Sequence, residues 1–189
     1  MARLQSSHEL TFLPSHQLLI LRDIDSYADP GASVAISTAS RQIASASGYG
    51  VYINTVQDLV AVHSIVEVWS SPPSVVEGRP GWTPVLTCVL DSPTGQFLLA
   101  DTTGSGFAGI DPSEGPGRYG VNVFHQGREQ AKVAFQTILD AMDQDAWQQP
   151  VNELQQQNAG VEKYLVQLWW QKPLDPDGQD DETDAPGAG

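Results

Sequence analysis

The stretch HELTFLPSHQLLILRD, residues 8–23, carries two short apolar runs, Leu10–Leu13 and Gln17–Asp23, on either side of a Pro-Ser-His sequence. Short apolar runs that are bounded by turn residues are typical of β-strands, and Pro14 predicts a turn or kink between them. His16 therefore stands at a corner between two strands. Because no motif partner accompanies it, we interpret its imidazole as a group that hydrogen-bonds backbone at this corner and not as a catalytic base.

Strand patterns continue along most of the chain beyond this stretch. Alternating or valine-rich sequences predict strands at about 48–55, 60–69, 85–90, 96–101, 118–126 and 162–171. Val85–Leu90 and Gln96–Asp101 are separated by Asp91–Gly95, which predicts a β-hairpin. Several short strands with turn signals between them, and no alternation of strands with helices, predict an antiparallel β-sandwich of about seven or eight strands.

One segment has the period of an amphipathic helix, at about 129–147, where apolar residues follow an i, i+3, i+4, i+7 pattern. Pro150 predicts its end, and the polar sequence 151–160 predicts a connection. We expect this one helix to pack on a sheet or cover an edge of it. Residues 24–47 leave three possibilities open: a short helix, a loose connection or a strand at Val34–Ile36.

Composition and length indicate one globular domain. Apolar residues make up 40 % of the 189 residues, which is enough for a hydrophobic core. We expect an N-terminal tail at 1–7, a β-sandwich domain at 8–172 and a disordered acidic tail at 173–189.

The chain is strongly acidic, with 9 basic and 23 acidic side chains and a net charge of −14. Residues 174–189 hold six of the acidic residues and no basic one, so 17 acidic and 9 basic residues leave −8 on the rest. Phosphate binding needs clustered Lys and Arg, which disfavours a nucleic-acid partner. A basic protein partner is compatible with this charge, and so is simple solubility. Asp23, Asp25 and Asp29 form the best candidate acidic patch for a partner.

The sequence contains no signal for catalysis, a metal or a cofactor. Cys88 lies among apolar strand residues, where a cysteine is usually a buried small hydrophobe. The four histidines are scattered, without the close spacing of zinc ligands. Residues 104–109 match G-x-G-x-x-G, but the following IDPSEGPG cannot form the helix that a dinucleotide site requires, so we interpret 104–117 as a glycine-rich connection.

The expected location is the cytoplasm, and we expect no membrane partner. No apolar run approaches the ~20 residues of a membrane-spanning helix, the N-terminus has no signal-peptide pattern, and one cysteine cannot form an internal disulfide.

Two other functions are compatible with the sequence. Trp69, Trp82, Trp169 and Trp170 could form an exposed aromatic platform of the kind that binds carbohydrate, although core packing is the favoured interpretation. An uncharacterised hydrolase would need a cleft that joins a histidine to carboxylates.

The order of several short motifs resembles that of the competence protein J family of small bacterial proteins. The motifs are ELTFLPSHQLLILRD (9–23), the strand from Gly48 to Thr55, SPTGQFLL (92–99), GRYGVNV (117–123) and EKYLVQLWW (162–170). The chain departs from the family pattern at Ser15 and Leu18, where aromatic residues are expected, and at Trp170, where proline is expected.

The resemblance implies a β-rich inhibitor or immunity protein without catalytic activity, since competence protein J is an intracellular inhibitor of a DNA-entry nuclease. Acidity fits this implication, because carboxylates can face the basic cleft of a nuclease or toxin. The glycine and aromatic positions of the motifs transfer a fold and not a site. The residues to which we assign structural roles are His16, Gln17, Tyr119, Tyr164 and Trp169.

Overall fold

A computed structural model describes residues 2–26, 29–74, 80–104, 106–143 and 149–174. Within these ranges the chain forms ten strands and three α-helices. The strands are β1 (Leu4–Phe12), β2 (Leu18–Asp23), β3 (Ala44–Ala46), β4 (Gly50–Asn54), β5 (Val62–Trp69), β6 (Thr83–Ser92), β7 (Phe97–Ala100), β8 (Gly106–Ile110), β9 (Gly117–Gln126) and β10 (Lys163–Lys172). The helices are α1 (Ala32–Gln42), α2 (Arg128–Asp143) and α3 (Gln149–Asn158), and a 3₁₀ turn at Ser15–Gln17 joins β1 to β2.

The strands form two five-stranded sheets. The first sheet has the order β1-β5-β10-β9-β6, and the second has the order β3-β4-β2-β7-β8. Neighbouring strands are antiparallel except β5 and β10, which run parallel. The prediction of a wholly antiparallel sandwich is therefore wrong at this pair. The chain between β5 and β10 is long enough for the crossover that parallel strands require, and β10 returns between β5 and β9.

The number of strands and the start of the domain also differ from the prediction. Ten strands replace the seven or eight expected, and β1 begins at Leu4, so part of the predicted tail 1–7 is strand. The glycine-rich stretch predicted as a connection contains β8. Gly106 makes this strand possible, because a Cβ atom there would lie 2.2 Å from the Leu99 carbonyl oxygen of β7.

The predicted hairpin between β6 and β7 is a crossover between the two sheets. β6 pairs with β9 in the first sheet, whereas β7 pairs with β2 and β8 in the second. β1 and β2 likewise belong to different sheets, so the Pro14–Gln17 segment is a corner between sheets. Periodicity predicts most of the strands, but it carries no information about which sheet a strand joins.

Both sheets contribute to one hydrophobic core, in a sandwich-like arrangement. The fully buried side chains include Leu21 and Ile53 from the second sheet and Val121 and Leu168 from the first. The rings of Phe97 and Tyr119, one from each sheet, meet edge to face at a centroid distance of 4.9 Å. The sheets also meet at their edges, where the Asp91 N–H donates to the Gly48 carbonyl at 2.9 Å.

Three helices replace the single predicted one. Residues 24–47, left open by the sequence, contain α1, which packs Ala35 and Ala39 against Leu18 and Tyr52 on the outer face of the second sheet, and the short strand β3. The predicted helix at 129–147 corresponds to α2, and its last residues, 144–147, lie outside the described ranges.

The predicted polar connection after Pro150 is wrong, because 149–158 forms α3. Proline is tolerated in the first turn of a helix, where its missing N–H would have no helical acceptor. The acidic tail predicted to be disordered lies outside the described residues, which end at Leu174. None of the helices in the described ranges has the length and apolar character needed to cross a membrane.

Candidate functional site

The loop after β2 and the β6–β7 crossover meet at one end of the molecule around the carboxylate of Asp23. Its Oδ2 accepts hydrogen bonds from the Ser92 hydroxyl at 2.5 Å and from the Thr94 amide and hydroxyl at 2.9 and 2.8 Å. Its Oδ1 accepts the Asp25 N–H at 2.9 Å. Burial opposes ionisation, but these hydrogen bonds outweigh it and hold the pKa of Asp23 below its usual value. The carboxylate thus fastens the β6–β7 crossover to the end of β2.

The predicted acidic patch of Asp23, Asp25 and Asp29 does not form a common surface. Asp23 is fully buried, so it cannot offer its carboxylate to a partner. Asp29 is half-buried and accepts hydrogen bonds from the Gly31 amide at 2.9 Å, from the Tyr52 hydroxyl at 3.0 Å and from Ser47. Of the three, Asp25 alone is exposed.

Other exposed carboxylates lie at the same end as Asp25. Gly95 of the β6–β7 crossover packs against Gly115 of the β8–β9 loop, where a Cβ would come within 2.2 Å of the Gly115 carbonyl carbon. The β8–β9 loop carries Asp111 and Glu114, both exposed. Sequence reasoning missed these two residues, because nothing in the sequence indicates that their loop and the loop after β2 lie at the same end.

Strand β10 ends at this side of the molecule too. The Trp170 indole N–H donates to the Pro116 carbonyl at 3.4 Å, and Lys172 pairs with Arg118 at the start of β9. The described chain ends two residues later at Leu174, and the six acidic residues of 175–184 follow in the sequence. We call the loops carrying Asp25, Asp111 and Glu114, together with the point at which the tail begins, the acidic end.

Four basic side chains also lie at the acidic end, and two of them are engaged by neighbouring groups. Arg118 forms a two-bond ion pair with Asp91, at 2.7 and 3.0 Å, and Arg22 donates to the carbonyls of Asp23 and Ile24. Arg3 and Lys172 are exposed near this end. The tail therefore decides the sign of the charge, and the acidic end with its tail is strongly negative.

A second buried carboxylate lies at the opposite end. Glu162 Oε1 accepts the Val56 N–H at 2.9 Å and the Tyr164 hydroxyl at 2.5 Å, and it lies 3.3 Å from Arg128 Nη1. Arg128 also donates to the Asn54 carbonyl at 2.7 Å and to the Tyr164 hydroxyl oxygen. We call Asn54, Arg128, Glu162 and Tyr164 the arginine cluster. It joins the start of α2 to the end of β4 and the start of β10.

Burial dominates the electrostatics of the arginine cluster. It raises the pKa of Glu162, although the Tyr164 hydroxyl, the Val56 amide and Arg128 act in the opposite direction. The pKa of Tyr164 is raised well above its usual value, mainly by burial and then by the Glu162 charge. The second oxygen of Glu162, Oε2, is buried without a hydrogen-bond partner among the described residues.

The arginine cluster has no access for a substrate. The adjoining recess, lined by Gln57, Ala131, Ala134 and Glu162 among others, is too narrow to hold a water molecule. General acid–base chemistry requires that a reacting atom reach the titrating group. The described geometry therefore supports a structural role for Glu162 and Arg128, which sequence reasoning missed, and for Tyr164, which it named.

His16 and Gln17 occupy the corner between β1 and β2 in left-handed backbone conformations, with φ of 56° and 57°. His16 is exposed, and its Nδ1 lies 2.8 Å from the Ser15 hydroxyl and 3.0 Å from the Thr102 hydroxyl. The expected imidazole bond to backbone is thus replaced by side-chain contacts. The Gln17 carbonyl accepts the Thr55 N–H at 2.9 Å, which joins the corner to the end of β4.

The other histidines and the described acidic residues do not form a catalytic cleft. His63 Nε2 lies 3.5 Å from Glu9 Oε2 on an open strand face, with Glu9 largely exposed. His125 Nδ1 is buried without a hydrogen-bond partner in the described part of the chain, and burial and Arg128 lower its pKa. The described residues contain no group of three His, Cys, Asp or Glu side chains that could hold a metal ion.

The tryptophans do not form an exposed platform in the described part of the chain. Trp169 is buried over Gly120, where a Cβ would lie 2.2 Å from the indole ring. Trp69, Trp82 and Trp170 are half-buried, and the Trp69 indole donates to Glu67 at 3.0 Å. These positions do not favour the carbohydrate-binding alternative.

Tyr119, another residue with a predicted structural role, is fully buried and donates its hydroxyl proton to the Gly115 carbonyl. Burial raises the pKa of this hydroxyl, and the charges of Glu114 and Asp23 act in the same direction. Tyr119 thus supports the β8–β9 loop from inside the core.

Cys88 is half-buried, and burial raises the pKa of its thiol to about 11, so it is protonated at neutral pH and a poor nucleophile.

Comparison with known proteins finds a likeness of structure. No protein family matches the sequence, and no curated protein matches it. The crystal structure of ComJ, inhibitor of the DNA degrading activity of NucA, from Bacillus subtilis, matches with 10 % identity and a TM-score of 0.49, over 90 % of this chain and 99 % of that one. A structure described as crocagin biosynthetic gene J matches with 14 % identity and a TM-score of 0.51, over 88 % of this chain and 98 % of the other.

At a TM-score of 0.51 and 14 % identity, the second match shows a likeness of fold and not membership of a family. The resemblance to the competence protein J family that the motifs predict stays a prediction.

Proposed function

We propose that this chain is a non-enzymatic protein-binding module that holds a basic protein at its acidic end, in the manner of a nuclease inhibitor or immunity protein. The observation that carries the proposal is the gathering of Asp25, Asp111 and Glu114 on loops at the end from which the six-acid tail leaves. Complementary charge speeds encounter with a basic surface and disfavours acidic competitors.

A nuclease or toxin that acts on nucleic acid is the partner class that this charge fits best. Such a protein needs clustered Lys and Arg to bind phosphates. Carboxylates that occupy those cations prevent phosphate binding, so inhibition follows from docking alone. The sequence resemblance to an inhibitor family points to the same class, and a cytoplasmic location would place the module where it protects the cell's own nucleic acid.

We propose a non-enzymatic protein because the buried carboxylates are enclosed and hydrogen-bonded within the fold. Asp23 and Glu162 are buried carboxylates whose pKa values are shifted. Both accept hydrogen bonds from backbone amides and neighbouring side chains. Asp25, Asp111 and Glu114 are exposed, as expected for groups that meet a partner.

The test is capture from native cell extract with the full chain as bait, followed by a DNA- and RNA-degradation assay of what is retained. The test bait carries Asp25→Asn, Asp111→Asn and Glu114→Gln. A matched bait carries Asp140→Asn, Asp143→Asn and Glu153→Gln, which changes the charge equally on the exposed faces of α2 and α3.

We expect wild type and the matched control to retain a basic protein whose nuclease activity falls as the bait is added, with about tenfold weaker retention by the acidic-end variant. Equal retention by all three baits, or a retained protein that is not basic, would sink the proposal.

A further inference from the structure

Strand β6 is an edge strand with an open side. It pairs with β9 alone among the described strands, and on its other side the Asp91 N–H donates to the Gly48 carbonyl between β3 and β4. Edge strands present unpaired N–H and C=O groups that can pair with a strand of another chain.

The Asp91 hydrogen bond shows which β6 groups face outward. In an antiparallel pair, the N–H and C=O of alternate residues point to the same side. Asp91 points away from β9, so Val89 and Thr87 do the same, with no register shift between Leu86 and Ser92. The amides of Val89 and Thr87 have no hydrogen-bond partner in the described part of the chain.

The part of β6 from Leu86 to Leu90 lacks the charged residues, prolines and bulges that block pairing at the edge of a sheet. Pro84 and the register shift before Leu86 blunt the start of the strand. From Leu86 to Leu90 the strand is regular and carries no charge, and Val89 is 44 % exposed. Five residues are the usual length of a strand in a sheet.

We propose that the basic partner adds an extended strand to the Leu86–Leu90 edge of β6, with its lysine or arginine side chains directed to the acidic end. This inference rests on the proposed function and specifies the element by which the partner binds. β6 leads directly into the acidic end, because its last residue, Ser92, donates to Asp23 and the following Thr94 does the same.

Charge selects a basic partner strand over a second copy of this chain. Each copy carries a net charge of −14, so two copies joined along β6 would bring two acidic ends and two acidic tails into one particle. Such repulsion opposes association. A partner strand flanked by lysine or arginine is instead attracted to the carboxylates of the acidic end.

The test uses a synthetic strand peptide of alternating valine and threonine, with two lysines at each end, added to the full chain. NMR shifts and hydrogen exchange are followed at the Thr87 and Val89 amides. We expect shifts centred on β6 and about tenfold slower exchange at Thr87. Two control peptides carry glutamate in place of lysine, or N-methyl groups on the pairing edge, and we expect about tenfold weaker binding for each.

Two variants separate backbone pairing from side-chain contact. Val89→Pro removes an outward N–H without removing a bond to β9, and we expect it to weaken peptide binding about tenfold. Val89→Thr keeps the amide and nearly the same shape, and we expect binding within about twofold of wild type. Urea unfolding of both variants checks that the fold persists.

The inference is overturned if shifts map away from β6, if the N-methylated or glutamate peptide binds as well as the lysine peptide, or if Val89→Pro binds normally. A wild-type dimer in sedimentation that Val89→Pro dissociates would identify the occupant as a second copy and also overturn it. If Val89→Pro captures the basic protein normally while the acidic-end variant loses it, this inference fails and the proposed function stands. If the peptide binds β6 but capture is insensitive to the acidic-end variant, the proposed function alone fails.

Discussion

Asp23 and Glu162 are both buried carboxylates that join distant parts of the chain, yet their pKa values move in opposite directions. Glu162 has a cation beside it, and Asp23 is held by uncharged donors. The difference lies in the oxygens: both oxygens of Asp23 accept hydrogen bonds, whereas Oε2 of Glu162 is buried without a partner among the described residues. Hydrogen bonding to both oxygens thus outweighs burial at Asp23, whereas at Glu162 the hydrogen bonds and the Arg128 charge together do not outweigh burial.

The largest expected effect is at the arginine cluster. Arg128→Leu leaves Glu162 buried without its cation and the Asn54 carbonyl without a donor, and we expect about 3 to 4 kcal/mol of destabilisation. Urea unfolding measures it. The double variant Arg128→Leu, Glu162→Leu removes the uncompensated charge as well, so it should recover part of the loss. A double variant no more stable than the single one would contradict a coupled pair.

Asp23→Asn should come next, at about 2 to 3 kcal/mol, because an amide group replaces one acceptor oxygen and faces the donors from Ser92 and Thr94. Asp25→Asn, two residues away and exposed, is the matched control and should change the free energy of unfolding by less than about 0.5 kcal/mol. Similar values for the two variants would show that Asp23 does not fasten the crossover.

The two carboxylates should also differ in the pH dependence of stability. Asp23 has a lowered folded-state pKa, so its contribution is present above the unfolded-state pKa of about 3.9 and is lost as pH falls through the folded value. Glu162 has a raised folded-state pKa, so its contribution is complete below the unfolded-state pKa of about 4.3 and is lost as pH rises through the folded value.

Unfolding free energies of wild type, Asp23→Asn and Glu162→Gln across the acidic to neutral range separate these cases. The destabilisation by Asp23→Asn should shrink toward acid pH. The destabilisation by Glu162→Gln should shrink toward neutral pH. Parallel pH profiles for the two variants would refute the contrast.

The smallest expected effect is at the β1–β2 corner. His16→Gln should cost about 1 kcal/mol of stability, because the contact between the imidazole and the Thr102 hydroxyl is lost. His8→Gln, on a strand of the first sheet, is a control for the loss of an imidazole. An unchanged free energy of unfolding together with loss of a measurable activity would refute the structural role of His16.

Local pattern predicted individual strands better than their partners. The last strand, predicted at 162–171, is β10 at Lys163–Lys172, and its side chains Tyr164, Val166 and Leu168 lie in the core. The β6–β7 turn has the residues of a hairpin, but the chain crosses between sheets there. Asp23, which lies about seventy residues earlier in the sequence, fastens that crossover, and no local pattern contains it.

The helix α3 and the arginine cluster could not be predicted from the sequence, for different reasons. α3 is rich in glutamine, which has good helix propensity. It lacks a strong apolar face, so its sequence shows no helical periodicity of apolar residues. Arg128 and Glu162 are 34 residues apart and each stands at the start of an element. Of the predicted patch of Asp23, Asp25 and Asp29, Asp23 is buried and Asp29 half-buried, so Asp25 alone is exposed at the acidic end.

The most direct test that the partner binds at the acidic end and not at the arginine cluster is hydrogen–deuterium exchange of the full chain, with and without the captured basic protein. The account predicts slower exchange in the loops at 24–26 and 111–117, and unchanged exchange at 54–57 and 162–164 beside the arginine cluster. Protection centred on the arginine cluster, with the acidic end unchanged, would contradict it.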